Sequence, residues 1–381
     1  MGDLILGEAL DLLIDNRGKN PPYVADGIPV ISAKAVKRGV ILMEEARQIS
    51  EDTYRRWMPN ELQVNDVILT SEAPLGECAL VTYERPLAIA QRLYGMRGKP
   101  GILDGKYLYY AFKAHSVQAD LHSRSSGSTV AGIRQPELLK VRIPDPGYAV
   151  QLAIAEVLGA LDDKIAVNER IAVTASELAA VHYLATHERE LVKIADVANV
   201  TMGQSPPGET FNEQGNGLPF YQGNRDFGFR FPGYRVWCTA VTRQAGVNDV
   251  LVSVRAPVGQ INVATELCGI GRGLASVRSE KYPHVLLQAL SADGSIWLPY
   301  EAEGTVFGSI NKKQFTQLEI GWPTAEFINS LESRLSKLDQ RIRRATEESR
   351  TLAALRDTLL PQLMSGKLRV RDAEKIVEDA V

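Results

Sequence analysis

The sequence predicts an α+β chain. It reads as two β-rich domains in tandem repeat, each followed by a long helix, with the two helices pairing as an antiparallel coiled coil. Three observations carry this. The same short motifs occur twice in the same order, at an offset near 183 residues. Within each copy, short apolar runs end on Ala-Pro-x-Gly turn signals. After each copy comes a stretch with apolar residues at alternating spacings of three and four, the seam of a packed helix.

The repeat is built from five blocks. Val64-Asn65-Asp66-Val67-Ile68-Leu69-Thr70 precedes Ala73-Pro74-Leu75-Gly76, and Val247-Asn248-Asp249-Val250-Leu251-Val252-Ser253 precedes Ala256-Pro257-Val258-Gly259. Gly18 with Pro21-Pro22 matches Gly203 with Pro206-Pro207, and Gly27-Ile28-Pro29 matches Gly217-Leu218-Pro219. Thr129-Val130-Ala131-Gly132-Ile133 matches Thr305-Val306-Phe307-Gly308, with Ile310 after one inserted residue. Leu161-Asp162 with Ile165 matches Leu338-Asp339 with Ile342. A period this long marks a duplicated domain, not a solenoid.

The elements follow in order. Residues 1–146 form the first domain, 147–190 the first long helix, 191–323 the second domain, 324–370 the second long helix and 371–381 a tail. In the domains, the runs ending at Thr70 and Ser253 read as strands, and Gly27-Ile28-Pro29 and Gly217-Leu218-Pro219 as strand entries. Residues 148 to about 182 hold no proline and one internal glycine, Gly159, and Ile154, Leu158, Leu161 and Ile165 form the seam. After Pro323, Ile328, Leu331, Leu335, Leu338, Ile342, Ala345 and Leu352 keep the rhythm until Pro361. The helix-pairing residues are thus expected to be Ile154, Leu158, Leu161 and Ile165 with Leu331, Leu335, Leu338 and Ile342. Asn168 continues the first seam and suits a register-fixing polar residue. Such stripes can also pack on their own domains, but their equivalent places in the two copies favour mutual pairing. A helix of about 35 residues is about 50 Å long. Antiparallel pairing would relate the copies by a pseudo-two-fold axis and hold them about 35–50 Å apart, one to one and a half turns of B-DNA.

Composition sets limits. With 381 residues, 45% hydrophobic and 23% charged, the chain has room for two domains with real cores. No stretch approaches the roughly 20 apolar residues of a membrane helix, and residues 1–10 carry Asp3 and Glu8 without a basic segment, unlike a secretory signal. Cys78, Cys238 and Cys268 are odd in number and far apart, which fits reduced thiols and a cytoplasmic protein better than disulfides or zinc. Net charge is -3, which argues against a simple DNA-binding protein. The two globular parts are each balanced, and residues 147–190 are acidic. Any phosphate neutralisation must come from local patches or from a partner.

No catalytic constellation emerges, so the chain is expected to be non-enzymatic. Asn20-Pro21-Pro22-Tyr23 resembles the motif with which adenine-N6 methyltransferases hold a flipped base. It follows a polar run, residues 15–19, rather than a Rossmann strand, and its counterpart Ser205-Pro206-Pro207-Gly208 lacks both Asn and Tyr. A Pro-Pro loop joining a first helix to the first strand accounts for it. Gly269-Ile270-Gly271-Arg272-Gly273 resembles half of a phosphate loop, but no βαβ unit or Gly-Lys-Ser/Thr accompanies it, and the glycines read as a turn. His115, His122, His182, His187 and His284 lack metal spacing, so no metal site is expected. Asp104-Gly105-Lys106 has no second carboxylate upstream and reads as a turn, and no GxSxG occurs.

For DNA contact the useful side chains are Arg, Lys, amides and aromatics on loops. The first copy offers Lys19, Asn20, Tyr23, Lys34, Lys37, Arg38, Arg92, Arg134 and Gln135. The second offers Gln204, Ser205, Gln222, Asn224, Arg225, Arg255, Arg272, Asn311, Lys312 and Lys313. The run Arg341, Arg343, Arg344 suits a solvated helix face or a partner protein.

One family resemblance covers nearly the whole chain. Met202-Gly203-Gln204-Ser205-Pro206-Pro207, followed by Gly217-Leu218-Pro219-Phe220-Tyr221-Gln222-Gly223, resembles the opening of a target-recognition domain in the specificity (S) subunit of type I restriction-modification enzymes. Leu359-Leu360-Pro361-Gln362-Leu363-Met364-Ser365-Gly366-Lys367-Leu368-Arg369-Val370 resembles the end of that subunit's second conserved helix. The first copy departs more, with Gly18-Lys19-Asn20-Pro21-Pro22 in place of the usual Gly-x-Ser/Thr-Pro. The resemblance implies that each domain reads half of a bipartite double-stranded DNA target through the major groove. It implies that the helices space the domains and dock two methyltransferase (M) subunits. Those subunits would bind S-adenosylmethionine and methylate adenine, and a motor-nuclease (R) subunit would cleave unmodified DNA. This chain would itself bind no cofactor and no membrane. Alternatives are the specificity subunit of a type IIB-like system, a stand-alone adenine-N6 DNA methyltransferase built on Asn20 to Tyr23, and a coiled-coil adaptor without a DNA role.

Overall fold

The computed structural model describes residues 2–16, 20–127, 130–301 and 308–380. Parts of two repeat blocks, Gly18 and Thr129 with their counterparts Thr305 to Phe307, lie in part outside them. The chain forms two compact units, Met1–Ala166 with Ser349–Val381, and Val167–Glu348. Both boundaries fall inside the long helices, Tyr148–Leu184 and Ala325–Met364.

The duplication recurs as topology. In the first unit an antiparallel sheet runs in the order Leu10–Asp15, Leu93–Gly98, Val67–Thr70, Cys78–Leu80. In the second the order Asn199–Met202, Leu274–Arg278, Val250–Ser253, Ile261–Val263 repeats it. Ile28–Ile31 pairs in parallel with Ala88–Ile89, as Leu218–Tyr221 does with Cys268–Ile270. Each unit also has a two-stranded ribbon, Gly2–Ile5 with Arg142–Asp145 and Arg189–Lys193 with Glu319–Pro323.

The repeated string Asn-Asp-(strand)-Thr/Ser explains itself at atomic level. Asn65 and Asn248 take left-handed φ values of 74° and 66°, a region Asn enters more readily than other non-glycine residues. The next residue, Asp66 or Asp249, is buried, and a buried carboxylate must be satisfied. Asp66 accepts from the Gln63 N–H at 2.8 Å and from Arg97 Nε and Nη2 at 2.9 and 2.8 Å. Asp249 accepts from the Gly246 N–H at 2.8 Å, from Arg278 Nε and Nη2 at 2.7 and 3.1 Å, and from Ser276 Oγ at 2.7 Å. At the far end of the strand, Thr70 Oγ1 donates to the Pro74 carbonyl (2.6 Å) and accepts from the Glu77 N–H (2.9 Å). Ser253 Oγ does the same with Pro257 (2.6 Å) and Gln260 (2.8 Å). One hydroxyl serves as both donor and acceptor there, and Thr and Ser each supply it.

The long helices are anchored by their seams. Ile154, Leu158 and Leu161 share the first unit's core with Tyr94, Tyr107, Phe112, Leu352, Leu359 and Leu363. Ala172, Ala175 and Ala179 share the second unit's core with Val250, Phe315, Leu331, Leu335 and Ile342. Ile165 and Leu338 are half-buried against those cores. Each fully buried leucine or isoleucine contributes about 1.5–3 kcal/mol. Asn168 is buried, and its Nδ2 donates to Glu348 Oε2 at 3.0 Å. Arg356 pairs with Asp162, which also accepts from the Tyr110 hydroxyl at 2.7 Å.

Several elements differ from expectation. The first long helix stops at Leu184, and Arg189–Lys193 is a ribbon strand, because Glu319–Pro323 supplies its backbone partners. The second helix, expected to reach residue 370, continues through Pro361 but stops at Met364, held by buried Leu359, Leu360, Leu363 and Met364. It ends before Gly366, whose φ of 69° suits a glycine C-terminal cap. Residues of the expected tail form a helix, Val370–Ala380, with Ala373 buried in the first core. The domains also contain helices, Gly105–Lys113, His115–Ser123 and Pro283–Ser291. Asp104, read as part of a turn, caps the first of these by accepting from the Tyr107 N–H at 2.8 Å.

Candidate nucleic-acid interface

In each unit three segments meet beside the Ala-Pro turn. In the first, the Ser71 N–H donates to the Arg92 carbonyl and the Ile133 N–H to the Ser71 carbonyl, both at 2.9 Å, and Glu72 bridges Gly132. In the second, the Val254 N–H donates to the Gly273 carbonyl at 2.9 Å, the Ile310 N–H to the Val254 carbonyl at 3.1 Å, and Arg255 bridges Ser309. This shared backbone aligns Glu72 with Arg255, Gln91 with Arg272, Arg92 with Gly273, and Arg134 with Asn311. Arg134 and Asn311 each precede a short helix, Gln135–Leu138 and Lys312–Gln317. In the first unit the corner opens into a cleft of about 610 Å³ lined by Ser71, Glu72, Gln91, Arg92, Ser126 and Arg134.

The corner gathers some of the expected contact residues. In the first copy Arg92 and Arg134 line the cleft, with Gln135 exposed beside them. Lys34, Lys37 and Arg38 are exposed on another segment, and the Arg38 N–H donates to Glu77 Oε2 at 3.1 Å. Asn20 is exposed, and Tyr23 is half-buried with the Arg47 guanidinium 4.8 Å above its ring. Lys19 lies outside the described residues.

In the second copy Ser205, Gln222 and Arg272 come together. Gln222 Nε2 donates to Ser205 Oγ at 2.7 Å, and the Arg272 N–H and Nε donate to it at 3.4 and 3.3 Å. Gln204, Arg225, Arg255, Lys312 and Lys313 are exposed, and Asn224 opens a short 3-10 turn, Asn224–Asp226. Asn311 is otherwise engaged. Its side chain accepts from the Gln314 N–H while Gln314 Oε1 accepts from the Asn311 N–H, both at 3.0 Å. This capping box holds the short helix in place.

Three further readings change. The glycine-rich string is neither a phosphate loop nor simply a turn. A Cβ at Gly271 would stand 2.5 Å from Gln222 Oε1, and one at Gly203 would stand 2.1 Å from the Gly271 carbonyl oxygen. The glycines let these segments pack backbone to backbone and so fix Arg272 beside Ser205. Asn20 to Tyr23 follows the strand Leu10–Asp15, not a helix, and leads to Val24, which bridges Gln48. Arg343, expected on a solvated helix face or against a partner protein, donates from Nη2 to Asn248 Oδ1 at 2.8 Å and lies 4.9 Å over the Phe231 ring. Arg341 and Arg344 are exposed.

Sequence reasoning missed Glu72, Gln91, Arg97 and Arg278. The last two occupy the same place in Leu93–Gly98 and Leu274–Arg278, so the repeat itself could have revealed them. Hydrogen bonding to Asp66 and Asp249 raises the pKa of both guanidiniums, fixing their charge. Among the described residues there is no group of three or more His, Cys, Asp or Glu side chains poised for a metal, and no helix is long and apolar enough to cross a membrane.

A β-rich frame is built twice, with different side chains at the same corner of each copy. Residues 17–175 match the family described as the type I restriction modification DNA specificity domain. That match falls on the first copy, the one whose opening departs from the usual motif. The chain is 27% identical to the putative type I restriction enzyme MjaX specificity subunit of Methanocaldococcus jannaschii, over 81% of its length and 80% of the relative's. It is 22% identical to the MjaIX specificity subunit of the same organism, over 92% and 89%. The solved S subunit of a type I restriction-modification system from M. genitalium shares the fold, with a TM-score of 0.64 at 16% identity over 95% of each chain. Over most of its length the chain is thus similar to specificity subunits of type I restriction enzymes.

Proposed function

We propose that this chain reads a bipartite double-stranded DNA target, one half with each unit, and that it catalyses no reaction itself. One observation carries the reading. The same backbone corner presents Glu72, Gln91, Arg92 and Arg134 in one unit and Arg255, Arg272, Gly273 and Asn311 in the other. Two readers of one build with different side-chain chemistry are what two different half-sites require. In this reading residues 1–146 and 191–323 are the target-recognition domains. Arg92, Arg134, Gln135, Gln204, Ser205, Gln222, Arg255, Arg272, Lys312 and Lys313 face the duplex. Asn20, Tyr23, Lys34, Lys37, Arg38, Asn224 and Arg225 flank it, and Lys19, outside the described residues, stays a candidate contact.

The long helices pair as an antiparallel coiled coil in the same proposal. Asp162 meets Arg356 and Asn168 meets Glu348, so partner numbers fall as those of the first helix rise. Two methyltransferase subunits dock on this chain, hold S-adenosylmethionine and methylate adenine, and a motor-nuclease subunit completes the complex in the cytoplasm. The near-neutral charge of this chain fits partners that supply phosphate contacts.

Methylome sequencing of cells expressing the chain with its methyltransferase subunits should return one two-part motif with a fixed spacer. Absence of any two-part motif would refute DNA reading by the two units. The purified chain alone should bind no labelled S-adenosylmethionine and transfer no methyl group to DNA; transfer by the chain alone would refute the non-catalytic reading.

A further inference from the structure

Glu72 and Arg255 occupy the same place in the two units and carry opposite charge. Each precedes its Ala-Pro turn, and each forms an isolated bridge to the segment leading into the short helix. Their surroundings differ in step. The Glu72 carboxylate is tied to Arg92, whose Nε lies 2.8 Å from Oε1, and both side chains keep solvent access, 38% and 53%. The second unit has Gly273 where the first has Arg92, and Arg255 forms no ion pair with another described residue. At this point the first unit therefore offers an acceptor and a donor side by side, and the second offers a donor alone.

An exposed carboxylate on a face that meets a polyanion weakens binding unless it finds a donor. In the major groove, Glu is suited to the exocyclic N4 amino group of cytosine, and Arg to the O6 and N7 of guanine. A Glu–Arg pair is thus complementary to both members of one C·G pair. The Arg92 charge also offsets that of Glu72 and holds its carboxylate in place. The open cleft and its remaining polar walls, among them Gln91 and Arg134, leave room for a base edge.

Resting on the DNA-reading function proposed above, we infer that the Glu72–Arg92 pair specifies a C·G pair in the half-site of the first unit. Arg255 alone specifies a guanine at the corresponding position of the other half-site.

The test compares complexes of the full chain and its methyltransferase subunits carrying wild type, Glu72→Gln, Arg92→Gln or Arg255→Gln, by methylome sequencing. Glu72→Gln and Arg92→Gln should each lower discrimination at the same single position of one half-site by about 5- to 150-fold, the worth of one base contact. Arg255→Gln should do so at one guanine of the other half-site. An unchanged motif in the variants, whether or not overall modification falls, overturns the inference, because a phosphate contact weakens binding without altering preference. Where a variant modifies nothing, selection from a randomised duplex library by the same complex is read instead, and unaltered enrichment again overturns it. A wild-type motif in two parts that lacks the assigned C·G pair sinks only this assignment. A wild type with no two-part motif sinks the DNA-reading function itself.

Discussion

Replacing Asp249 by alanine removes the acceptor for three groups at once: the Arg278 guanidinium, Ser276 Oγ and the Gly246 N–H. Their costs differ. The Arg278 side chain is 47% exposed, so water can replace the carboxylate, and its share is about 0–1 kcal/mol. Ser276 is 3% exposed and Gly246 is half-buried, and each stranded donor costs about 1–3 kcal/mol. The expected loss is about 3 kcal/mol, below the 3–5 kcal/mol range's upper end for breaking a fully buried pair. Asp66→Ala should cost less, about 1–2 kcal/mol, because the Gln63 N–H belongs to an exposed residue and no serine hydroxyl binds Asp66. Urea unfolding of the full chain by tryptophan fluorescence separates the two. Trp57 reports the first unit, and Trp237, Trp297 and Trp322 the second. At about 2 kcal/mol per molar urea, Asp249→Ala should lower the second unit's midpoint by about 1.5 M. A shift below about 0.3 M, or a larger effect from Asp66→Ala, would show that the aspartates are not the braces inferred here.

Arg356→Met should destabilise the first unit by about 1–3 kcal/mol, because Asp162 keeps only its bond from Tyr110 in a half-buried site; an unaltered midpoint refutes this. Burial pushes the thiols of Cys78 and Cys268 up to about 12 from 9.0. The fold thus keeps protons that the unfolded chain releases, and stability should fall from pH 9 upward by about 1.4 kcal/mol per pH unit per thiol. Cys268→Ala should flatten that slope for the second unit, and an equally steep slope in the variant would contradict the assignment. Inserting four residues at equivalent points of both long helices adds about 6 Å, so the spacer of the methylated motif should grow by about two base pairs with both half-sites retained. An unchanged spacer would end the ruler idea. Exchanging residues 191–323 for those of another family member should change one half-site; a change in both would mean the units do not read independently.

The periodic features were legible in the sequence because periodicity is local. The duplicated blocks became duplicated strand orders, and seam residues such as Leu158 and Leu335 became core residues. Even Asn168 was found buried with a polar partner. Features fixed by distant partners were not legible. Residues 189–193 carry no strand pattern, and their strand exists because Glu319–Pro323 lies opposite. The apolar rhythm of the second helix ends at Pro361, yet packing of its neighbours carries the helix on to Met364. At the candidate interface, a choice among Arg, Lys, amides and aromatics left out the carboxylate of Glu72, and Gln91 was passed over beside Arg92. Asn311 carried a second signal, since Asn-Lys-Lys-Gln also spells a capping box.

The division of the long helices between the units bears on how the protein is made. The second unit is one continuous segment, Val167–Glu348, whereas the first needs Ser349–Val381 to supply Leu352, Leu359, Leu363 and Ala373 to its core. During synthesis those side chains are therefore missing from one core of the first unit until the later unit has been made, whereas its other core, around Ile31, Ile49 and Ile89, needs none of them. A chain cut after residue 348 should unfold its first unit, read at Trp57, at a lower urea midpoint and leave the transition of the other tryptophans unchanged.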